Sequence, residues 1–169
     1  MLQRFLFLIL FISLTLTSRG QNELGGIGQW REHYNNRSVT QLGIGKNTNG
    51  DKKIIGATTQ QVFSITAKNK VTLLGKSTGL HDISIACSAW DDAQSQLIIA
   101  YNNSNIDIVK GDQVYAITDL LLSNLYPSKK INHIYLLNQW ALVSTDFGIV
   151  VIDLIKHEIK DTWFPNNNR

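Results

Sequence analysis

The sequence predicts an all-β protein, a partial β-propeller of about three four-stranded blades of about 44 residues each. Three observations predict it. Twenty Ile, eight Val and twelve Thr set 40 β-branched residues against eight Ala, and side chains branched at Cβ suit a pleated strand better than a helix. Gly56, Ala100 and Ser144 are small residues separated by 44 and 44 positions, and Val62, Ile106 and Val150 keep the same interval. Each of these pairs brackets a polar turn, with a further strand candidate on either side, and four short strands per unit is the spacing of propeller blades. A solenoid or β-sandwich also stacks strands, but a sandwich has no reason to hold one fixed interval.

Residues 1–20 read as an export address. Gln3 and Arg4 precede an apolar or hydroxyl run from Phe5 to Thr17, and Ser18-Arg19-Gly20 places small residues three and one positions before Gln21. That is the layout of a secretory signal peptide. The run is shorter than the roughly 20 residues that cross a bilayer as a helix, so cleavage is expected rather than anchoring. No Cys follows it, which leaves a lipoprotein without support. Removal takes away Arg4 and Arg19 and no acid, so Lys+Arg falls from 16 to 14 against 13 Asp+Glu, and the formal charge from +3 to about +1. The remaining basic residues are scattered; the adjacent pairs Lys52-Lys53 and Lys129-Lys130 lie beside turn formers and read as solvated loops. A nucleic-acid partner thereby loses its main support.

Residues 21–169 are expected to form the N-terminal blades of an incomplete propeller. In the first unit Arg37–Leu42 opens, 54–65 is the central hairpin and Lys70–Leu74 closes; the second runs Ile83–Trp90, 98–109 and Gln113–Ile117; the third Ile131–Leu137, 142–153 and Glu158–Trp163. Apolar positions alternate after each turn, as in half-buried strands. The small residues before the turns are expected to let neighbouring sheets approach closely. Asp119 to Tyr126 reads as a helical turn inserted between the second and third blades, capped by Asp119 and stopped by Pro127. Three blades are too few to close a ring that needs about four to eight, so further blades, from the same or another chain, are expected to complete it.

No reactive constellation emerges. A single Cys excludes an internal disulfide and a cysteine-based zinc knuckle. His33, His81, His133 and His157 show no metal-ligand spacing, and Cys87 in an apolar strand reads as a buried, inert thiol. Asp91 and Asp92 read as a turn before Gln94, and Gly25-Gly26-Ile27-Gly28 and Gly43-Ile44-Gly45 as loop glycines without the setting of a phosphate cradle. No GxSxG elbow occurs; Asn36-Arg37-Ser38 and Asn102-Asn103-Ser104 match glycosylation sequons, a weak signal alone. Trp30, Trp90, Trp140, Trp163, Tyr34, Tyr101 and Tyr135 are expected between blades rather than as a sugar platform. Binding is favoured over catalysis, with no cofactor and no metal. By architecture the contact surface is the loops beside strand ends, with His81, Asp82, Asn102, Asn103, Asn132 and His133.

The chain also resembles a known family. The carrying segments are Gly28-Gln29-Trp30-Arg31-Glu32-His33-Tyr34, Gly79-Leu80-His81-Asp82-Ile83, Leu97-Ile98-Ile99-Ala100-Tyr101 running to Asn105-Ile106-Asp107, and Phe147-Gly148-Ile149-Val150-Val151-Ile152-Asp153. In order and spacing they are similar to the N-terminal β-propeller of the PorZ family of Bacteroidetes, the anionic-lipopolysaccharide delivery proteins of the type IX secretion system. The resemblance covers residues 25–164. It implies an exported, non-enzymatic component, periplasmic or at the cell surface, which handles anionic lipopolysaccharide or another glycan. It implies as partners a sortase and other attachment-complex proteins, through which the module meets the outer-membrane surface. Gly79 to Asp82 also looks like the GLSD-type turn of two-component-regulator propellers, which makes the periplasmic ligand-sensing propeller of a hybrid two-component regulator the alternative.

Overall fold

The computed structural model of the protein describes residues 38–46 and 50–165. The expected signal peptide, the glycines of 25–28, the opening motif with Trp30, His33 and Tyr34, and two residues of the first sequon lie outside the described residues.

The described strands form three four-stranded antiparallel sheets, each a meander in chain order. Blade 1 holds β1 (Gln41–Lys46), β2 (Lys52–Ala57), β3 (Val62–Thr66) and β4 (Val71–Leu74). Blade 2 holds β5 (Ile85–Asp91), β6 (Gln96–Tyr101), β7 (Ile106–Lys110) and β8 (Gln113–Ile117). Blade 3 holds β9 (Ile131–Leu137), β10 (Trp140–Thr145), β11 (Ile149–Asp153) and β12 (Glu158–Trp163). The fold class is therefore as the sequence predicts: all-β, three four-stranded blades. The insertion between blades 2 and 3 contains a short helix, α1 (Asp119–Leu122), which stops well before Tyr126 because Ser123 is already extended.

Alternation along the strands assigns each face. Leu97, Ile99 and Tyr101 of β6 meet Ile55, Ala57 and Val62 of blade 1. Ile98 and Ala100 of the same strand meet Ala141, Val143, Val150 and Ile152 of blade 3. Every residue of β6 is consequently buried. Burying one such aliphatic side chain is worth about 1.5–3 kcal/mol, so these two seams hold most of the apolar driving force. The outward face of blade 1 is apolar in two registered rows, Leu42-Gly56-Phe63-Leu73 and Ile44-Ile54-Ile65-Val71. Leu42, Ile44, Ile54, Val71 and Leu73 are exposed there.

The structure corrects four expectations. The first strand is Gln41–Lys46, not Arg37–Leu42, and it takes in Gly43 and Gly45, which are strand rather than loop glycines. A Cβ on Gly45 would come within 2.6 Å of the Trp90 indole and 2.7 Å of Ile55 Cδ1, the close approach that a strand glycine marks. Lys52 and Lys53 lie in β2, and Lys129 is half-buried, its Nζ donating to the Leu121 and Ser123 carbonyls at 2.8 Å each; of these four lysines Lys130 alone is a solvated loop cation.

The repeat, third, is not a strict 44. The pairs that close the central hairpins are Ala57 with Val62, Ala100 with Ile106 and Ser144 with Ile149. The turn of blade 2 is therefore one residue longer than its counterparts. In blades 1 and 3 a threonine closes the turn: Thr58 Oγ1 accepts from the Gln60 and Gln61 N–H groups, and Thr145 Oγ1 from those of Phe147 and Gly148. In blade 2 Tyr101 stands in the threonine's place, Asn103 Oδ1 accepts from the Asn105 N–H at 3.0 Å, and the added length puts Ser104 at φ 72°.

Gly56, finally, does not make room for a neighbouring sheet. A Cβ there would meet the ring of Phe63, its partner on β3, so an aromatic of the same sheet fills the gap. Ala100 does face the next blade.

Candidate functional site

The turns β2–β3, β6–β7 and β10–β11 and the crossings between blades share one face of the stack. The crossing from β4 to β5 starts with a tight turn, in which the Gly75 N–H donates to Thr78 Oγ1 at 2.7 Å. Leu80 then plugs the seam between blades 1 and 2. Ile85 N–H donates to the Thr59 carbonyl at 2.8 Å and Asn102 N–H to the Ser84 carbonyl at 2.9 Å, so the crossing is pinned to the turns of both blades.

His81 follows Leu80 and is held by Asp107 of β7, whose side chain is fully buried. The His81 backbone N–H donates to Asp107 Oδ2 at 2.9 Å, Nδ1 of its ring lies 2.9 Å from Oδ1, and the Tyr101 hydroxyl donates to Oδ2 at 2.7 Å. A carboxylate only accepts, so Nδ1 carries the proton. Burial, reinforced by Asp107, raises the Tyr101 hydroxyl far above its ordinary pKa and keeps it a donor. Three donors compensate the dehydration of one carboxylate, and hydrogen bonds to a charged group are worth about 1.5–3 kcal/mol each. The outer edge of the His81 ring remains half-exposed.

Asp82, Asn102 and Asn103 sit beside this clamp. Asn103 Nδ2 donates to Asp82 Oδ2, and Asp82 Oδ1 accepts from the Ile83 N–H. The structure thus brings His81, Asp82, Asn102 and Asn103 into one cluster. Asn132 belongs to a second cluster, in blade 3, where it and Ser128 donate to Asp146 and hold that carboxyl below its ordinary pKa. His133 is the next residue along β9 and exposed, and its carbonyl accepts from Ser144 Oγ at 3.3 Å.

The groups gathered on this face are hydrogen-bond donors and acceptors. Cys87 is buried and its thiol is pushed up to about 11 by that burial, well away from a working nucleophile. Asp91 and Asp92 do not converge: Asp91 ends β5 and accepts from Ala93 N–H and Gln96 Nε2, whereas Asp92 accepts from Trp90 Nε1. Among the described residues no group of His, Cys, Asp and Glu could hold a metal ion. The aromatics are less buried than expected: Tyr101 is fully buried, but Tyr135 and Trp163 are exposed on the face of blade 3 that points away from blade 2, and Trp140 lies there under Lys160 Nζ. Tyr126, Phe147 and Phe164 form a separate aromatic group, the first two stacked at 3.8 Å.

Sequence reasoning missed Asp107. Its signal was an acid between Ile106 and Ile108 in a strand with both faces covered, where a charge needs a built partner.

Comparison with known proteins places this architecture. The family described as "TSS9, PorZ, N-terminal beta-propeller domain" matches residues 55–169. The chain is similar to a solved structure of PorZ from Porphyromonas gingivalis, described as an essential bacterial surface component of the type-IX secretion system. The TM-score is 0.62 at 22% identity over 66% of this chain. The match spans 15% of that PorZ chain. No curated protein matches.

Proposed function

This chain belongs to the PorZ N-terminal β-propeller domain family of the type IX secretion system, and from that premise we propose that it is an exported, non-catalytic binding module at the cell surface. In this reading it takes up anionic lipopolysaccharide through the crossing-face loops and presents it to a sortase and other attachment-complex proteins. The observation that carries the reading is the family match, which runs from within β2 of blade 1 through blades 2 and 3. The site chemistry agrees with it: two clusters of amide, imidazole and carboxylate groups stand on one rigid face, and Asn102 and Asn132 are exposed there. Short polar side chains on a stiff scaffold suit glycan hydroxyls, which need donors and acceptors rather than a reactive group.

The test is equilibrium binding of the purified chain to anionic lipopolysaccharide, with lipopolysaccharide that lacks the anionic polysaccharide as control. The expected result is saturable binding of the anionic form that weakens about fivefold in the Asn102→Ala, Asn132→Ala double variant, equivalent to about 1 kcal/mol. Equal binding of both forms, or no loss in the double variant, contradicts the loop assignment.

A further inference from the structure

Blades 1 and 2 part along their outer strands and leave a cleft of about 610 Å³, a size typical of small-ligand sites. Its floor is aliphatic: Ile55, Val62 and Leu74 of blade 1 lie opposite Leu97, Val109 and Val114 of blade 2. Lys46 and Lys53 stand in its wall with one acid, Asp112. Lys53 is half-buried, its Nζ 4.6 Å from the centre of the Trp90 ring, and burial holds its pKa below the ordinary lysine value. Two pairs at ion-pair distance among the described residues, His81 with Asp107 and Lys156 with Glu158, lie elsewhere.

We propose that this cleft binds a single-chain amphipathic anion, a medium-chain alkyl carboxylate, with the chain over the aliphatic floor and the head group at Lys53 and Lys46. Charge complementarity selects the head. Lys53 has already lost part of its hydration, and Trp90 holds its ammonium in place, so an arriving carboxylate gains a charge-assisted hydrogen bond to an ordered donor. The floor selects the body: flexible methylenes fill a slot between two sheets of branched aliphatic side chains, and the open face of Trp90 is taken by Lys53. The site shares no residue with the crossing-face clusters, so it stands or falls apart from the reading above.

The full chain is titrated with sodium decanoate, with decanol and decyltrimethylammonium as neutral and cationic probes of the same chain length, and the binding is mapped by amide and indole NMR shifts. Saturable decanoate binding is expected, with shifts at Trp90, Val109 and Val114. Affinity falls about fivefold or more for decanol, and by as much in Lys53→Met, which keeps the stem over Trp90 but removes the charge. Val109→Trp fills the cleft and abolishes binding. Comparison of the three probes needs no variant, so the proposal stays open to refutation if a variant fails to fold. Equal affinity for decanoate and decanol, shifts centred on Leu42 and Ile44 instead of the cleft, or no binding at all would overturn it.

Discussion

Blade 2 is gripped on one side by a dry apolar seam and on the other by a polar clamp beside an open cleft. Toward blade 3, Ile98, Ala100, Ile106 and Ile108 close on Ala141, Val143, Val150 and Ile152, and among the polar groups there fully buried Gln96 has its amide committed to Asp91 Oδ2 and the Leu154 carbonyl, while Ser104 Oγ donates to the Lys129 carbonyl. Toward blade 1, the apolar contact is concentrated near the crossing face, where Ile55, Ala57, Val62 and Leu80 meet Ile99 and Tyr101. Farther out, the sheets separate. Asp107, with His81 and Tyr101, ties the crossing to blade 2 at the packed end of this seam. The same strand pattern can thus be joined by close packing along the whole seam, or by a shorter apolar contact beside a clamp that depends on one carboxylate.

Truncation at matched residues separates the two seams most strongly. Ile98→Ala removes a fully buried side chain from the dry seam and is expected to lower stability by about 3–5 kcal/mol. Ile55→Ala borders the cleft, has fewer neighbours to lose, and should fall nearer about 2 kcal/mol. Urea unfolding of both variants measures the gap, and equal losses would erase the distinction.

The clamp comes next. Asp107→Ala strands the His81 and Tyr101 donors and should lower stability by about 2–4 kcal/mol, whereas Tyr101→Phe removes one donor and should lower it by about 1.5–3 kcal/mol. Thermal unfolding at fixed pH reads both. If the Asp107 variant matched wild type, the clamp would have no structural role.

Blade 3 supplies a backbone control. A Cβ at Gly148 would stand 2.3 Å from the Trp163 carbonyl oxygen, and the obstacle is main chain. Gly148→Ala should lower stability by about 1–3 kcal/mol, through separation of β11 from β12. Loss of protection in those two strands by amide exchange, with β5–β8 unchanged, is the expected signature.

The smallest effect is a pH dependence at the rim of the dry seam. His157 stacks on Tyr115 at 4.0 Å, and burial, with Lys110 nearby, lowers its pKa below 6.5. The unfolded chain therefore binds the proton more readily than the folded one. Its contribution is fully present above pH 6.5 and is lost as pH falls through that value toward the lower folded pKa. Stability should decline modestly on acidification from pH 7 to pH 5, and His157→Gln should flatten that part of the profile. Asp146 acts lower down, below its ordinary 3.8, because Ser128 and Asn132 hold it ionised.

The sequence made the architecture legible through composition and interval, since three meanders repeat one hydrophobic pattern. It misplaced the first strand because Gly43 and Gly45 carry no apolar signal; the neighbour that Gly45 makes room for, Trp90, is forty-odd positions away. It took 44 as a fixed period because Gly56 and Val150 each lie one position from the residues that close their hairpins, Ala57 and Ile149, a slip that pairing registers reveal and spacing does not. At the site, His81, Asp82, Asn102 and Asn103 were reachable because they flank strand ends. Asp107 was not, since its role depends on a histidine twenty-six residues earlier. The half-buried Lys53 was missed for a similar reason: a lysine beside a turn looks solvated until the neighbouring blade is in place.

Residue-resolved amide hydrogen exchange on the intact chain tests the unequal seams most directly, because it reports the opening free energy of each strand without a substitution. The account predicts the slowest exchange in β6, β10 and β11, with β1–β4 opening at lower free energy and taking the protection of Ile85, bonded to Thr59, with them. Equal or greater protection in blade 1, or opening of β9–β12 before β1–β4, would contradict it.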